Sequence, residues 1–320
     1  MASQSGHPDD VHALYGRLDG SPLTRRYIEV DGRRVHVIEG GVGPPVVVLH
    51  GTGGPALFYR PLLERLTGVR VFAPDRPGQG LSDPGALPRR RFREAAVAWV
   101  AGLLDTLELH APTLVGHSMG GLWSTWFALA NPERVSRLVL LAGAPALPGE
   151  VAPLPYRVMG TPGLGRLVQR MAPPTAASTV RFATMVGEGA TIGDHPDLIE
   201  LLVATGRDPV AATTDRNEVR AVLAPHVLLV PSAFRRTFRV TEDELRVLKP
   251  PTLMIWGDRE PLGSVDVARA LADLVPDGRL EVYPAGHAPW LGNGERLAML
   301  VSAFATEGST TPAAPPDREP

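Results

Sequence analysis

The 320-residue chain has no cysteine. That excludes disulfides, thiolate nucleophiles and zinc sites built on thiolates, and it fits a reducing compartment. It also lacks a surplus of either charge: 32 Lys and Arg stand against 34 Asp and Glu, a net of −2. Such a balance gives no reason to expect nucleic acid or an anionic membrane as partner. No apolar run is long enough to span a bilayer, and residues 1–10 are polar, without the apolar centre of a secretory signal. The expectation is a cytoplasmic protein with no membrane insertion; oligomeric state stays open. Glycine and proline are plentiful, at 34 and 33 residues, so loops carry much of the shape.

The most informative stretch is Gly116-His117-Ser118-Met119-Gly120, the only Gly-x-Ser-x-Gly in the chain. The apolar run 112–115 leads into it. A helical pattern of Leu122, Trp123, Trp126, Phe127 and Leu129 follows and ends before Asn131-Pro132. Strand, sharp turn and helix together form the context of a nucleophile elbow. A turn this tight strains the serine backbone and crowds the positions two before and two after it, so both are glycine. The helix that starts at the serine sets its positive end at the reacting centre.

Around this element the chain alternates strand and helix. Residues 1–25 show no clear period and read as an arm. Residues 26–30 and 33–38 flank Asp31-Gly32 as a hairpin. Residues 45–49 are an unbroken apolar run, the mark of a strand buried on both faces; 69–73, 138–142 and 251–256 read as further buried strands, and 279–283 is a last strand. The rhythm breaks between, where 146–240 holds short helical patterns divided by proline and glycine and reads as an inserted helical cap. The segment 227–230 is ambiguous between strand and helix end. Thr241-Glu242-Asp243-Glu244 is a capping box. The expected fold is α/β: a mostly parallel sheet of about eight strands with helices on both faces. Its core comprises 26–145 and 241–305, and 306–320 is a polar, proline-rich, disordered tail.

A serine hydroxyl needs a base, a group that orients the base, and donors for the oxyanion. His287 lies after the last strand, in Ala285-Gly286-His287-Ala288-Pro289. His50 and His117 flank glycines and read as holders of loop geometry. The orienting acid belongs at the end of another parallel strand, where Gly257-Asp258-Arg259-Glu260 offers both Asp258 and Glu260. After the 138–142 strand the first carboxylate is Glu150, so that alternative position reads as empty. His50-Gly51-Thr52-Gly53-Gly54 follows the first buried strand, and the amides of Thr52 and Met119 are the expected oxyanion donors. The loop lacks the Gly-Lys-Ser/Thr of a phosphate loop and the third glycine of a dinucleotide fingerprint. No cofactor and no metal is called for.

These residues, in this order, resemble the α/β-hydrolase superfamily, in its branch of small cap-bearing serine hydrolases. The matching stretches are His50-Gly51-Thr52-Gly53, the Asp75-Arg76-Pro77-Gly78-Gln79-Gly80 segment, Gly116 to Gly121, Trp256-Gly257-Asp258-Arg259-Glu260 and Gly286-His287. The resemblance implies Ser118 as nucleophile, His287 as base and Glu260 as acid, with Asp258 the second choice; most of the family carries aspartate at the position of Glu260. Ser118 sets the chain apart from epoxide hydrolases and dehalogenases of this fold, which need an aspartate nucleophile. The leading expectation is a hydrolase of small apolar esters. The alternatives are a C–C bond hydrolase, an aminopeptidase or an acyltransferase with the same triad, or a ligand-binding protein that barely turns over.

Overall fold

The computed structural model describes residues 9–17, 21–85 and 87–308. Eight strands form one sheet: β1 (Leu23–Val30), β2 (Arg33–Gly40), β3 (Pro45–Leu49), β4 (Arg70–Pro74), β5 (Thr113–His117), β6 (Arg137–Leu141), β7 (Thr252–Gly257) and β8 (Gly278–Tyr283). Their order is β1-β2-β4-β3-β5-β6-β7-β8. β2 runs antiparallel to β1 and β4, and every other pairing is parallel. The hairpin turn expected at Asp31-Gly32 has positive φ at both residues, 50° and 72°, the backbone of a two-residue turn that matches strand twist.

The unbroken apolar run has a physical reason. Val47 and Leu49 of β3 enter the core on one face of the sheet, while Val46 and Val48 enter the other. The first face is covered by α3 (Phe92–Thr106) and α4 (Met119–Ala130), with Phe92, Trp99, Trp123 and Trp126 at its centre. The second is covered by α1 (Asp9–Gly16), α2 (Arg60–Leu63) and α12 (Trp290–Thr306), through Tyr15, Leu62, Trp290 and Phe304. Helix α12 contains one non-helical residue, Asn293.

Between β6 and β7 lie α5 (Leu154–Gly160), α6 (Leu164–Met171), α7 (Ala176–Met185), α8 (Pro196–Arg207), α9 (Pro209–Val222) and α10 (Glu242–Arg246). The capping box at Thr241 opens α10 as expected. The 227–230 segment is neither strand nor helix end; it lies in turns between Leu223 and Phe234, which form an isolated bridge. Helix α11 (Val265–Leu274) packs on β7 and β8.

The arm expected at 1–25 needs correction. Residues 9–16 are helix α1, with Val11, Leu14 and Tyr15 buried. The Tyr15 hydroxyl lies 2.7 Å from Oδ1 of Asp75, which is also reached by the Ala56 amide at 2.8 Å. The remaining oxygen takes His36 Nδ1 at 2.9 Å and the Leu81 amide at 3.1 Å. Asp75 therefore binds α1, the hairpin and its own loop into one unit. Residues 1–8 and 18–20 of the expected arm, and 309–320 of the expected tail, lie outside the described residues; Thr306 still belongs to α12. Among the described residues no helix is long and apolar enough to cross a membrane.

Candidate active site

Ser118 sits between β5 and α4 with φ 51° and ψ −118°, a conformation that costs an L-residue energy. The flanking glycines are required by contact. A Cβ on Gly116 would lie 2.6 Å from the Gly120 carbonyl, and one on Gly120 would lie 2.1 Å from the Leu49 carbonyl. Gly51 presses on the elbow in the same way: its Cβ would be 3.0 Å from Cβ of Ser118. The loop after β3 is thus in direct contact with the serine.

The His287 ring is held at one end and free at the other. Its Nδ1 donates to Oε1 and Oε2 of Glu260 at 2.8 and 2.9 Å. With the ring proton on Nδ1, Nε2 carries the lone pair in the neutral imidazole. That Nε2 is buried and has no hydrogen-bond partner among the described residues. Glu260 is fixed in turn, Oε1 by the Leu262 amide at 3.1 Å and Oε2 by the Gly143 amide at 3.2 Å. The carboxylate is therefore pinned between the ends of β6 and β7. Asp258 points elsewhere: it accepts the Ala285 amide at 3.1 Å and pairs with Arg259, half-exposed. Of the two acids in this loop, Glu260 is the one that reaches the imidazole.

A carboxylate returns to the end of β6 but makes no bond to His287, which is served by Glu260. Gly149, with φ 81°, turns the chain back, and Glu150 Oε1 accepts the Ala144 amide at 3.0 Å. Burial, reinforced by the charge of Glu260, holds the Glu150 carboxyl well above the usual carboxylate range. The return passes through three residues of positive φ, Ala142, Ala146 and Gly149, which sequence spacing does not encode.

The two loop histidines hold geometry, as expected. Gly51 N–H donates to the Tyr59 hydroxyl at 2.9 Å, that hydroxyl donates to His117 Nδ1 at 2.5 Å, and His117 Nε2–H donates to the His287 carbonyl at 2.8 Å. Burial, and then proximity to His287, holds the His117 pKa well below its ordinary value, which suits this neutral tautomer. His50 accepts the Arg76 amide on Nε2 at 2.7 Å and donates from Nδ1 to the Gly51 carbonyl at 2.8 Å; burial and then Arg76 lower its pKa to about 3.

The same loop is tied to α9. Arg76, fully buried, makes two bonds to Glu218, at 2.5 and 3.1 Å, and others to the carbonyls of His50 and Gly51. The Thr52 hydroxyl donates to Glu218 at 3.2 Å and the Gly53 amide to Asp215 at 3.1 Å. Burial and then the charge of Glu218 raise the Asp215 pKa to about 7. The Gly51 and Gly53 amides are therefore committed, whereas Thr52 N–H has no partner among the described residues. Met119 stands in the first turn of α4, where amides have no intrahelical acceptor. Both residues border a slot of about 30 Å³ with Ser118, closed from above by Tyr156, Val219, Val222, Leu223 and Phe234. A larger chamber of about 340 Å³ adjoins it, sharing Thr52 and Tyr156 and bordered by His117, His287, Phe182 and Asp215. Among the described residues no group of His, Asp and Glu is placed to hold a metal ion.

Residues 44–174 match the family described as alpha/beta hydrolase fold. The chain is 30% identical over 294 residues to a 2-hydroxy-6-oxononadienedioate/2-hydroxy-6-oxononatrienedioate hydrolase of Burkholderia vietnamiensis, covering 88% of this chain and 95% of that protein. It is 31% identical to the protein of the same name from Cupriavidus pinatubonensis, covering 83% and 90%. The structure of carboxylesterase CesB from Bacillus subtilis superposes with a TM-score of 0.71 at 23% identity, covering 94% of this chain and all of that one. The chain belongs to the α/β-hydrolase fold family. It is a hydrolase.

Proposed function

We propose that this hydrolase cleaves a carbon–carbon bond beside a ketone through an acyl-enzyme on Ser118. The observation that carries the choice of bond is the likeness, over more than four-fifths of the chain, to hydrolases of 2-hydroxy-6-oxononadienedioate. A compound of that structure contains no ester or amide, so its hydrolysis breaks a carbon–carbon bond at the 6-oxo carbon. The site suits the chemistry. Ser118 Oγ attacks the ketone carbon as its proton passes to His287 Nε2, and the amides of Thr52 and Met119 take the oxyanion. The carbon–carbon bond then breaks with its electron pair passing to the leaving carbon, which a second, conjugated carbonyl stabilises as an enolate and His287 protonates. Water, deprotonated by His287, releases the acid. Glu260 holds the imidazole tautomer and balances its charge throughout.

Ester hydrolysis is the second reading. The observation that favours it is Glu260 itself, a glutamate where most of the family has aspartate and some serine esterases have glutamate. Both reactions share the acyl-enzyme and differ in the leaving group. The deciding experiment measures kcat/KM on a vinylogous 1,5-diketone and on p-nitrophenyl esters of the same acyl group. Faster diketone turnover supports the first reading, and turnover confined to esters replaces it with the second.

A further inference from the structure

Helix α9 delivers Asp215 to the wall of the larger chamber. The residue is 8% exposed, and only one of its oxygens is committed. Oδ1 accepts from the Gly53 amide at 3.1 Å and from Gln79 Nε2 at 2.7 Å, while Oδ2 has no hydrogen-bond partner among the described residues. A carboxyl oxygen that takes no donor from the protein keeps its acceptor sites for a ligand, and this one belongs to a residue that borders a cavity.

The charges around it point the same way. Neither the slot nor the chamber is lined by Lys or Arg among the described residues. Arg76, behind the loop, is fully enclosed and bonded to Glu218 and two carbonyls. The other acid of the chamber wall, Glu188, is committed to the Gly286 and Ala288 amides and the Thr191 hydroxyl. A carboxylate entering the chamber would be buried without a cation and beside carboxyl groups, which is strongly unfavourable.

We infer that Oδ2 of Asp215 is the recognition point of the chamber: it receives a hydrogen-bond donor, above all an ammonium group, on an otherwise apolar substrate, and carboxylate-tailed substrates are turned away. The inference rests on the reading of the chamber as the substrate cavity. It separates this chain from the dicarboxylates in its relatives' names. The raised pKa of Asp215 is consistent with a site that lacks its counter-charge, since a bound ammonium favours the ionised form.

The test uses the full chain carrying Ser118→Ala, so that binding is read without turnover. Isothermal titration is run with hexylammonium, hexanol and hexanoate, which share one chain length. Hexylammonium should bind at least about tenfold more tightly than hexanoate, and Asp215→Asn should cut the hexylammonium-to-hexanol preference about tenfold, the scale of one charge-assisted bond. Asparagine keeps an acceptor for Gly53 and Gln79, so a purely structural role would leave that ratio alone. Hexanoate binding as tightly as hexylammonium, a preference unmoved by Asp215→Asn, or binding of none of the three would overturn the inference. Labelling of wild-type Ser118 by a fluorophosphonate, run in parallel, reports on the serine mechanism separately.

Discussion

Glu188 brackets His287: its Oε1 accepts the amides on either side, Gly286 at 2.8 Å and Ala288 at 2.9 Å. The amide of His287 itself donates to the Val186 carbonyl at 2.9 Å. The segment between β6 and β7 thus does more than roof the cavity. It fixes the backbone from which the imidazole reaches Glu260.

Removing that grip should cost rate before affinity. Glu188→Ala leaves two buried amides without an acceptor and lets the His287 loop shift; displacements of this kind cost up to about 10²-fold. We expect kcat to fall by about 10–100-fold with KM changed far less, and Glu188→Gln, which can accept the same bonds, to recover most of the loss. Steady-state kinetics of the two variants decide it. An equal loss in both would assign the effect to the charge of Glu188 instead.

Glu260 and Asp258 separate cleanly by kinetics. Glu260→Gln removes the charge that fixes the His287 tautomer, and comparable triads lose on the order of 10⁴ in kcat. Asp258→Asn disturbs only a half-exposed turn and a surface pair, so its kcat should stay close to wild type. The reverse ordering would move the acid to Asp258.

Ser118 carries the strain of its positive φ, 51°. Ser118→Gly should abolish turnover and yet raise stability by about 1 kcal/mol, as relief of a strained positive-φ backbone outweighs the entropy glycine loses on folding. Chemical denaturation of wild type and variant measures it. A destabilised glycine variant would mean that the serine side chain contributes more than its backbone costs.

Much of this site was legible in the sequence because its parts are backbone-defined. Gly116 and Gly120 mark a turn that no other residue fits, Glu260 follows a strand whose apolar run is unmistakable, and His287 follows the last strand of the alternation. What stayed hidden lies between β6 and β7. Helix α9 buries Asp215 and Glu218 on its inner face, so the very residues that clamp the loop after β3 break the apolar period that would have announced a helix. Helix α1 was hidden by its shortness, and its anchor to Asp75 is visible only in three dimensions. Glu188 gave no signal, and Glu150 was visible only as the first carboxylate after β6, because each reaches its partners through a loop turn that spacing does not encode.

The raised pKa of Asp215 has a consequence for stability. Below about pH 4 the carboxyl is protonated in both the folded and the unfolded chain. As pH rises towards about 7 the unfolded chain loses the proton while burial and Glu218 keep it on in the folded one, so folding is progressively disfavoured across that window. Asp215→Asn does not titrate. Its Tm should gain on wild type between pH 4 and 7 and then hold level. A Tm difference independent of pH would contradict the burial-driven shift.

The central claim is that Ser118 is acylated during turnover. Its most direct measurement is intact-protein and peptide mass spectrometry after acid quench of the first turnovers with an activated ester or a diketone. An added acyl mass is expected on the peptide containing Ser118, trapped in larger amount as the rate of deacylation is lowered and absent from Ser118→Ala. Turnover by Ser118→Ala at a rate near wild type, or an acyl group found on another residue, would contradict it.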